Sequence, residues 1–158
     1  MEKAYNKNNK FTGAIYGAWN NSNDPYHKER DRHARMYYQQ IRNRDKAIEI
    51  RRVSQNSGFP ISEIEQIYDH IFIKEHDLED GFKRFDPSYD MAESWRRLSD
   101  RNNKQGIQRH DIIMLHHELM ELKLMANGHS YEEAHNKTNE VYDYQKAWAE
   151  WIQMKGEN

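Results

Sequence analysis

The fifteen residues from Asp111 to Met125, DIIMLHHELMELKLM, constrain the fold more than any other stretch. At about 100° per residue their apolar side chains point almost all the way round a helix. With His110 as the origin, Met114, Leu115, Leu119, Ile112, Ile113 and Leu124 cover most of the circle, leaving His116 and Lys123 as the polar stripe. A helix apolar on nearly every side belongs in the middle of a bundle. Yet His110, His117 and Glu121 share one face, and Asp111 and Glu118 share a neighbouring one. Five ionisable groups therefore point into the expected core. Unpaired burial would cost several kcal/mol for each, so they must be paired, metal-bound or lining a cavity.

The remaining punctuation predicts an all-α class, a compact bundle of five or six helices around this central helix at about 107–127. The others are expected at about 25–41, 45–56, 62–75, 87–100 and 131–154. Asp24-Pro25 and Asp86-Pro87 place an N-cap acceptor before a proline at the first helical position. Ser62-x-x-Glu65 and Ser130-x-x-Glu133 have capping-box form, and Gly128 has the position of a left-handed residue closing a helix. Stops fall at Ser57-Gly58-Phe59-Pro60 and Asp80-Gly81. Strand character is confined to Ala47–Val53.

A length of 158 residues suits one domain, 1–158, with residues 1–23 expected to be loosely ordered. Hydrophobic residues at 36% and charged ones at 32% make a lean core, but four Trp, ten Tyr and five Phe supply enough large side chains to fill one. The absence of cysteine excludes disulfide scaffolds, thiol nucleophiles and iron–sulfur sites. No apolar run approaches the roughly 18 residues of a membrane span, and MEKAYNKNNK lacks the apolar region of a signal peptide. A soluble protein without a membrane partner is expected, cytoplasmic in its producer or in a target cell.

Charge is polarised. Residues 28–52 carry nine basic and four acidic side chains, whereas 111–158 carry nine acidic and four basic. Such runs form solvated faces or, functionally, a basic arm for a polyanion. Ile50–Ile67 has helix-turn-helix form, but Glu63, Glu65 and Asp69 on its second helix would repel phosphate.

The polar groups of the central helix admit two expectations. One is a hydrogen-bonded core network with Arg84, Arg96 or Arg97 as cationic partners. The other is an active site, since dry clefts perturb carboxylates and imidazoles into useful acids and bases. His117 and Glu121, spaced i, i+4, suit one divalent ion or one water, with His135 completing a metal set from a distance and Glu118 as general base. His76 and His70 are further candidates, although His70 falls away from the Ile64-Ile67-Ile71 stripe and so points outward. Arg84 and Arg97 are the expected phosphate-binding side chains. His27, His33 and His129 are expected at the surface and Trp95 in the core.

Several motifs resemble known families. HHELME is similar to a zinc-protease helix, with glutamate where the second histidine would stand. Arg109-x6-His116 resembles the Arg-His pair of HEPN ribonucleases, typically metal-independent and dimeric, and offers an alternative catalytic pair. His76-Asp77 and His110-Asp111 resemble the doublet of HD phosphohydrolases, without that family's wider spacing.

Over a longer stretch, HIFIKEHDL, KRFDPSYDMAESWRRL, HDIIMLHHELMELKLM and SYEEAHNKTNEVYDY, between His70 and Tyr144, resemble C-terminal toxin domains of polymorphic toxins of Gram-positive bacteria and their phages. The resemblance covers about half the chain and implies an effector that attacks something essential and is neutralised by an immunity protein. The matching positions suited to chemistry are His70, His76, Arg84, His117, Glu118, Glu121 and His135. The trafficking module of such proteins has no counterpart in these 158 residues. The resulting expectation is a toxin-like hydrolase acting on nucleic acid, with one divalent ion as possible cofactor and a homodimer as possible assembly. A phage-associated structural or adaptor protein is the alternative, and a metal-dependent HD-like phosphohydrolase or metalloprotease the third.

Overall fold

A computed structural model describes residues 26–102 and 106–157. The expected Asp24-Pro25 helix start and the 1–23 segment lie outside these residues. The described chain forms seven α-helices: α1 (His27–Asn43), α2 (Lys46–Ser57), α3 (Ile61–Tyr68), α4 (Tyr89–Leu98), α5 (Arg109–Ala126), α6 (Tyr131–Asn139) and α7 (Tyr144–Glu157). A π-helical turn, Asp69–Ile73, extends α3, and a small antiparallel hairpin pairs β1 (His76–Leu78) with β2 (Gly81–Lys83). The class is all-α.

Helix α5 packs against α3, α4, α6 and α7 and is the centre of the bundle. The densest core gathers Trp95, Tyr68, Phe72, Ile64, Ile67 and Leu98 around its Met114 and Leu115. Trp95 is fully buried, and its indole N–H donates to the Glu49 carboxylate at 2.9 Å. The five ionisable groups expected to point into the core lie on the most deeply buried line of α5. It runs through His110, Asp111, Met114, Leu115, His117, Glu118 and Glu121, while Ile112, Ile113, Leu119 and Leu122 pack half-buried at its flanks. The centre of the bundle is thus rich in polar groups.

Caps fix the helix ends. Ser130 and Glu133 form the expected capping box, and Gly128 adopts φ +102° after α5. Gly58 adopts φ +85° after α2, where an L side chain would be strained.

Four expectations are corrected. Pro60, not Ser62, is the residue before α3, so Ser62 and Glu65 lie inside the helix. Ser88 caps α4, accepting from the Met91 N–H at 3.3 Å, because Asp86 is taken by Lys83. Ala47–Val53 is helical, with Ile50 and Val53 packing inward at helical spacing and Ile48 exposed, and the strands fall instead at the Asp80-Gly81 turn. The single helix expected at 131–154 is two, because Asp143 starts α7 by accepting from the Lys146 N–H at 3.0 Å. That break leaves Val141 exposed and the Tyr142 carbonyl outside any helix.

Candidate active site

Three irregularities of the backbone bring side chains to the polar line of α5. At the π turn, the Lys74 N–H bonds the Asp69 carbonyl at 2.8 Å, an i→i+5 bond that widens the turn. His70, the second residue of this turn, is 3% exposed instead of facing solvent. The hairpin places His76 behind it: His76 Nε2 donates to the His70 carbonyl at 2.9 Å, and its ring stacks on Phe85 at 4.2 Å. The α6–α7 break presents the Tyr142 carbonyl to His117 Nδ1 at 2.9 Å.

Glu121 is the focus. Its Oε1 accepts from His70 Nε2 at 2.8 Å, and its Oε2 accepts from His135 Nδ1 at 3.0 Å and His117 Nε2 at 3.2 Å. Three imidazoles from three elements thus converge on one buried carboxylate. Burial works against its charge, but hydrogen bonds from His117, His135 and His70 hold Glu121 well below the usual carboxylate range. His117 donates from both ring nitrogens and is therefore imidazolium. Burial opposes that charge too, yet Glu121 and Glu118 outweigh it and lift His117 to about 9.

Glu118 is the exception in this group. Its side chain is 8% exposed, its oxygens lie 3.7 Å from His70 Nε2 and 4.0 Å from His117 Nε2, and no hydrogen bond reaches it among the described residues. Burial, with the charge of Glu121 beside it, pushes Glu118 up to about 7. Among the described residues no lysine or arginine pairs with either carboxylate.

The cluster forms the floor of a cavity of about 650 Å³, closed by α1, the hairpin turn, the segment before α4, and α6. Tyr131 lies 5.4 Å from the His135 ring and 5.1 Å from Phe85, giving the cavity an aromatic side. Acidic side chains dominate the rest of the wall, including Asp31, Glu79, Asp86 and Glu132, against Arg30 and Arg35 from α1. Sequence reasoning missed Asp90. It looks like an ordinary first-turn residue, but it is buried on this wall and burial pushes it up to about 6 despite a hydrogen bond from Ser88.

The donor set suits a metal ion. One ligand atom from each of His117, Glu121 and His135 lies within 4.8 Å of the others. The Nδ1–H of His117 is committed to a backbone carbonyl, which leaves Nε2 to face an ion, the arrangement that orients ligating histidines.

Of the residues singled out in the sequence, His70, His117, Glu118, Glu121 and His135 come together, with His76 one contact behind. The others do not. Arg84 is exposed and donates from Nε to the Ile73 carbonyl at 3.2 Å. Arg97 lies at the far end of α5, held by both oxygens of Asp111 at 2.8 Å. Arg96 pairs with Glu93 at 2.8 Å. Arg109 is exposed beside Glu150, whereas His116 is stacked on Tyr142 at 4.8 Å and packed on Phe59. His33 is exposed, whereas His27, also expected at the surface, lines the cavity.

No family model matches the chain, and no curated protein or solved structure shows significant similarity to it. What this site does has to be argued from its chemistry.

Proposed function

We propose that the chain is a metal-dependent hydrolase of the toxin-like effector kind, acting on nucleic acid, with its centre on the floor of the α5 cavity. The observation that carries this reading is Glu118, a buried carboxylate without a hydrogen bond, set beside a second carboxylate and open to a cavity. Its partners are two imidazoles at ion-pair range, 3.7 and 4.0 Å, so its charge is offset without the direct hydrogen bonds that fix a purely structural carboxylate.

His117, Glu121 and His135 hold the ion in this scheme. Bound there, a divalent cation would supply Lewis acidity toward a water and a phosphoryl or carbonyl oxygen. Glu118, whose carboxylate faces the same cavity, would take the proton and return it to the leaving group. The Tyr142 carbonyl keeps His117 in register, and His76 keeps His70 in place. The acidic wall makes the ion a requirement for a phosphodiester, since phosphate approaches these carboxylates only when cations offset them. That requirement favours this centre over the metal-independent Arg109/His116 pair, whose members have separate partners. The resemblance of His70–Tyr144 to toxin domains supports an effector role, with an immunity protein as its natural partner and a homodimer as a possible assembly.

The rival reading is a phage-associated structural or adaptor protein. It draws on Glu121, which three imidazoles already satisfy. The integrity of total RNA and DNA after induced expression, wild type beside His117→Ala, separates the two. Cleavage is expected with the wild type and not with the variant, and a chelator is expected to stop it with purified protein. Growth arrest with intact nucleic acid would remove nucleic acid as the substrate. Absence of any cellular effect, with His117→Ala merely melting earlier, would favour the structural protein.

A further inference from the structure

The first ligand set uses only half of the donor atoms on this part of α5. Glu121 turns Oε2 toward His117 and His135, while its Oε1 faces the opposite way, 2.8 Å from His70 Nε2. Glu118 is divided in the same manner, with Oε1 3.7 Å from His70 Nε2 and Oε2 4.0 Å from His117 Nε2. His70, Glu118 and Glu121 each offer a ligand atom within 4.8 Å of the other two, and all three are buried. We propose that these three residues form a second cation site, so that Glu121 bridges two divalent ions and the centre is binuclear.

Charge balance, spacing and donor type all support this. Two carboxylates share one buried space, and no fixed cation from lysine or arginine reaches them. Metal bonds of about 2.1 Å at tetrahedral angles put neighbouring ligand atoms about 3.4 Å apart, and the separations to His70 bracket that value. A carboxylate offering one oxygen to each side is what a pair of ions about 3.5–4 Å apart requires. Mixed imidazole and carboxylate donors suit zinc, manganese, iron or cobalt better than calcium or magnesium. His70 is already oriented, its carbonyl bonded by His76 and its ring edge-on to His76 and Phe85 at 4.8 and 5.1 Å. In this arrangement Glu118 offers Oε1 to the second ion and turns Oε2 toward the first.

This inference rests on the metal-dependent reading and can fail without it. The full chain, stripped by a chelator, is dialysed against Mn²⁺, and bound metal is counted by mass spectrometry. Two ions per chain are expected, with the six-line electron paramagnetic resonance signal of isolated Mn²⁺ replaced by a spin-coupled spectrum. His70→Gln should bind one ion and return the six-line signal. One ion in the wild type, unchanged by His70→Gln, would overturn the second site and leave the hydrolase reading standing. No bound ion would overturn both. Should His70→Gln not fold, the wild-type spectrum still decides: two ions without coupling would refute the shared carboxylate.

Discussion

The two ends of α5 present the same kinds of side chain in opposite states. At the N-terminal end, His110 and Asp111 are buried with Arg97, which gives two 2.8 Å hydrogen bonds to Asp111 and a 3.0 Å one to His110 Nε2. Asp111 also accepts from the Gln108 N–H at 2.8 Å, and Trp151 covers both His110 and the guanidinium. Every charge there has a fixed partner. Seven and ten residues beyond Asp111, Glu118 and Glu121 have imidazoles but no fixed cation, and they face a cavity. The difference extends to protonation. His110 accepts from Arg97, and burial pushes it down to about 4, so it is neutral, whereas His117 donates from both nitrogens and is raised to about 9. An arginine makes a buried carboxylate structural; its absence leaves room for an exchangeable cation.

The largest stability effect belongs to the closed end. Arg97→Ala orphans Asp111 in the core, and a loss of about 3–5 kcal/mol is expected in urea unfolding. Metal binding by the folded fraction should survive. A loss below about 1 kcal/mol would show that the closed end is not held by this pair.

Next come the two histidines, whose pH dependences run in opposite directions in the metal-free chain. His110 titrates near 4 when folded and near 6.5 when unfolded, so between those values the unfolded chain binds more protons. Stability should fall as the pH drops from 6.5 to 4, by up to about 3 kcal/mol from this group. His110→Phe should flatten that limb. His117 has the reverse sign: its contribution is complete below pH 6.5 and is lost as the pH rises through 9. His117→Gln should flatten the alkaline limb and leave the acid one alone. Parallel limbs in both variants would erase the distinction between the two ends.

The smallest stability change is expected from Glu118→Gln, and its sign is the informative part. Removing a buried charge that has no hydrogen bond should leave stability unchanged or raise it by about 1 kcal/mol, while hydrolysis falls at least about 100-fold. Stability gained as function is lost is the behaviour of a site, and a clear loss of stability would class Glu118 with the closed end.

Much of this was legible in the sequence. The all-round apolar pattern placed α5 at the centre, and the i, i+4 spacing put His117 and Glu121 on one face, because both follow from regular helical geometry. What escaped were the irregular places. At a constant 100° per residue His70 lies off the Ile64-Ile67-Ile71 stripe, yet it is buried, within a π turn that the sequence pattern does not announce. The Asp143 cap was unread, so the carbonyl that orients His117 was hidden inside an expected continuous helix. Arg97 was legible only as one of two alternatives, a phosphate ligand or a cationic partner in a core network; the structure gives it the second role, and its partner Asp111, fourteen residues away on another helix, leaves no periodic trace.

The most direct measurement is the melting temperature of the chelator-treated full chain with and without added Zn²⁺, for the wild type and Glu121→Gln. At about 100-fold over the dissociation constant the wild type should gain about 2.7 kcal/mol, a rise of roughly 5–10 °C for a chain of this size, and Glu121→Gln should gain nothing. A wild type that ignores the ion, or a variant that responds equally, would contradict the assignment of a cation site to the open end of α5.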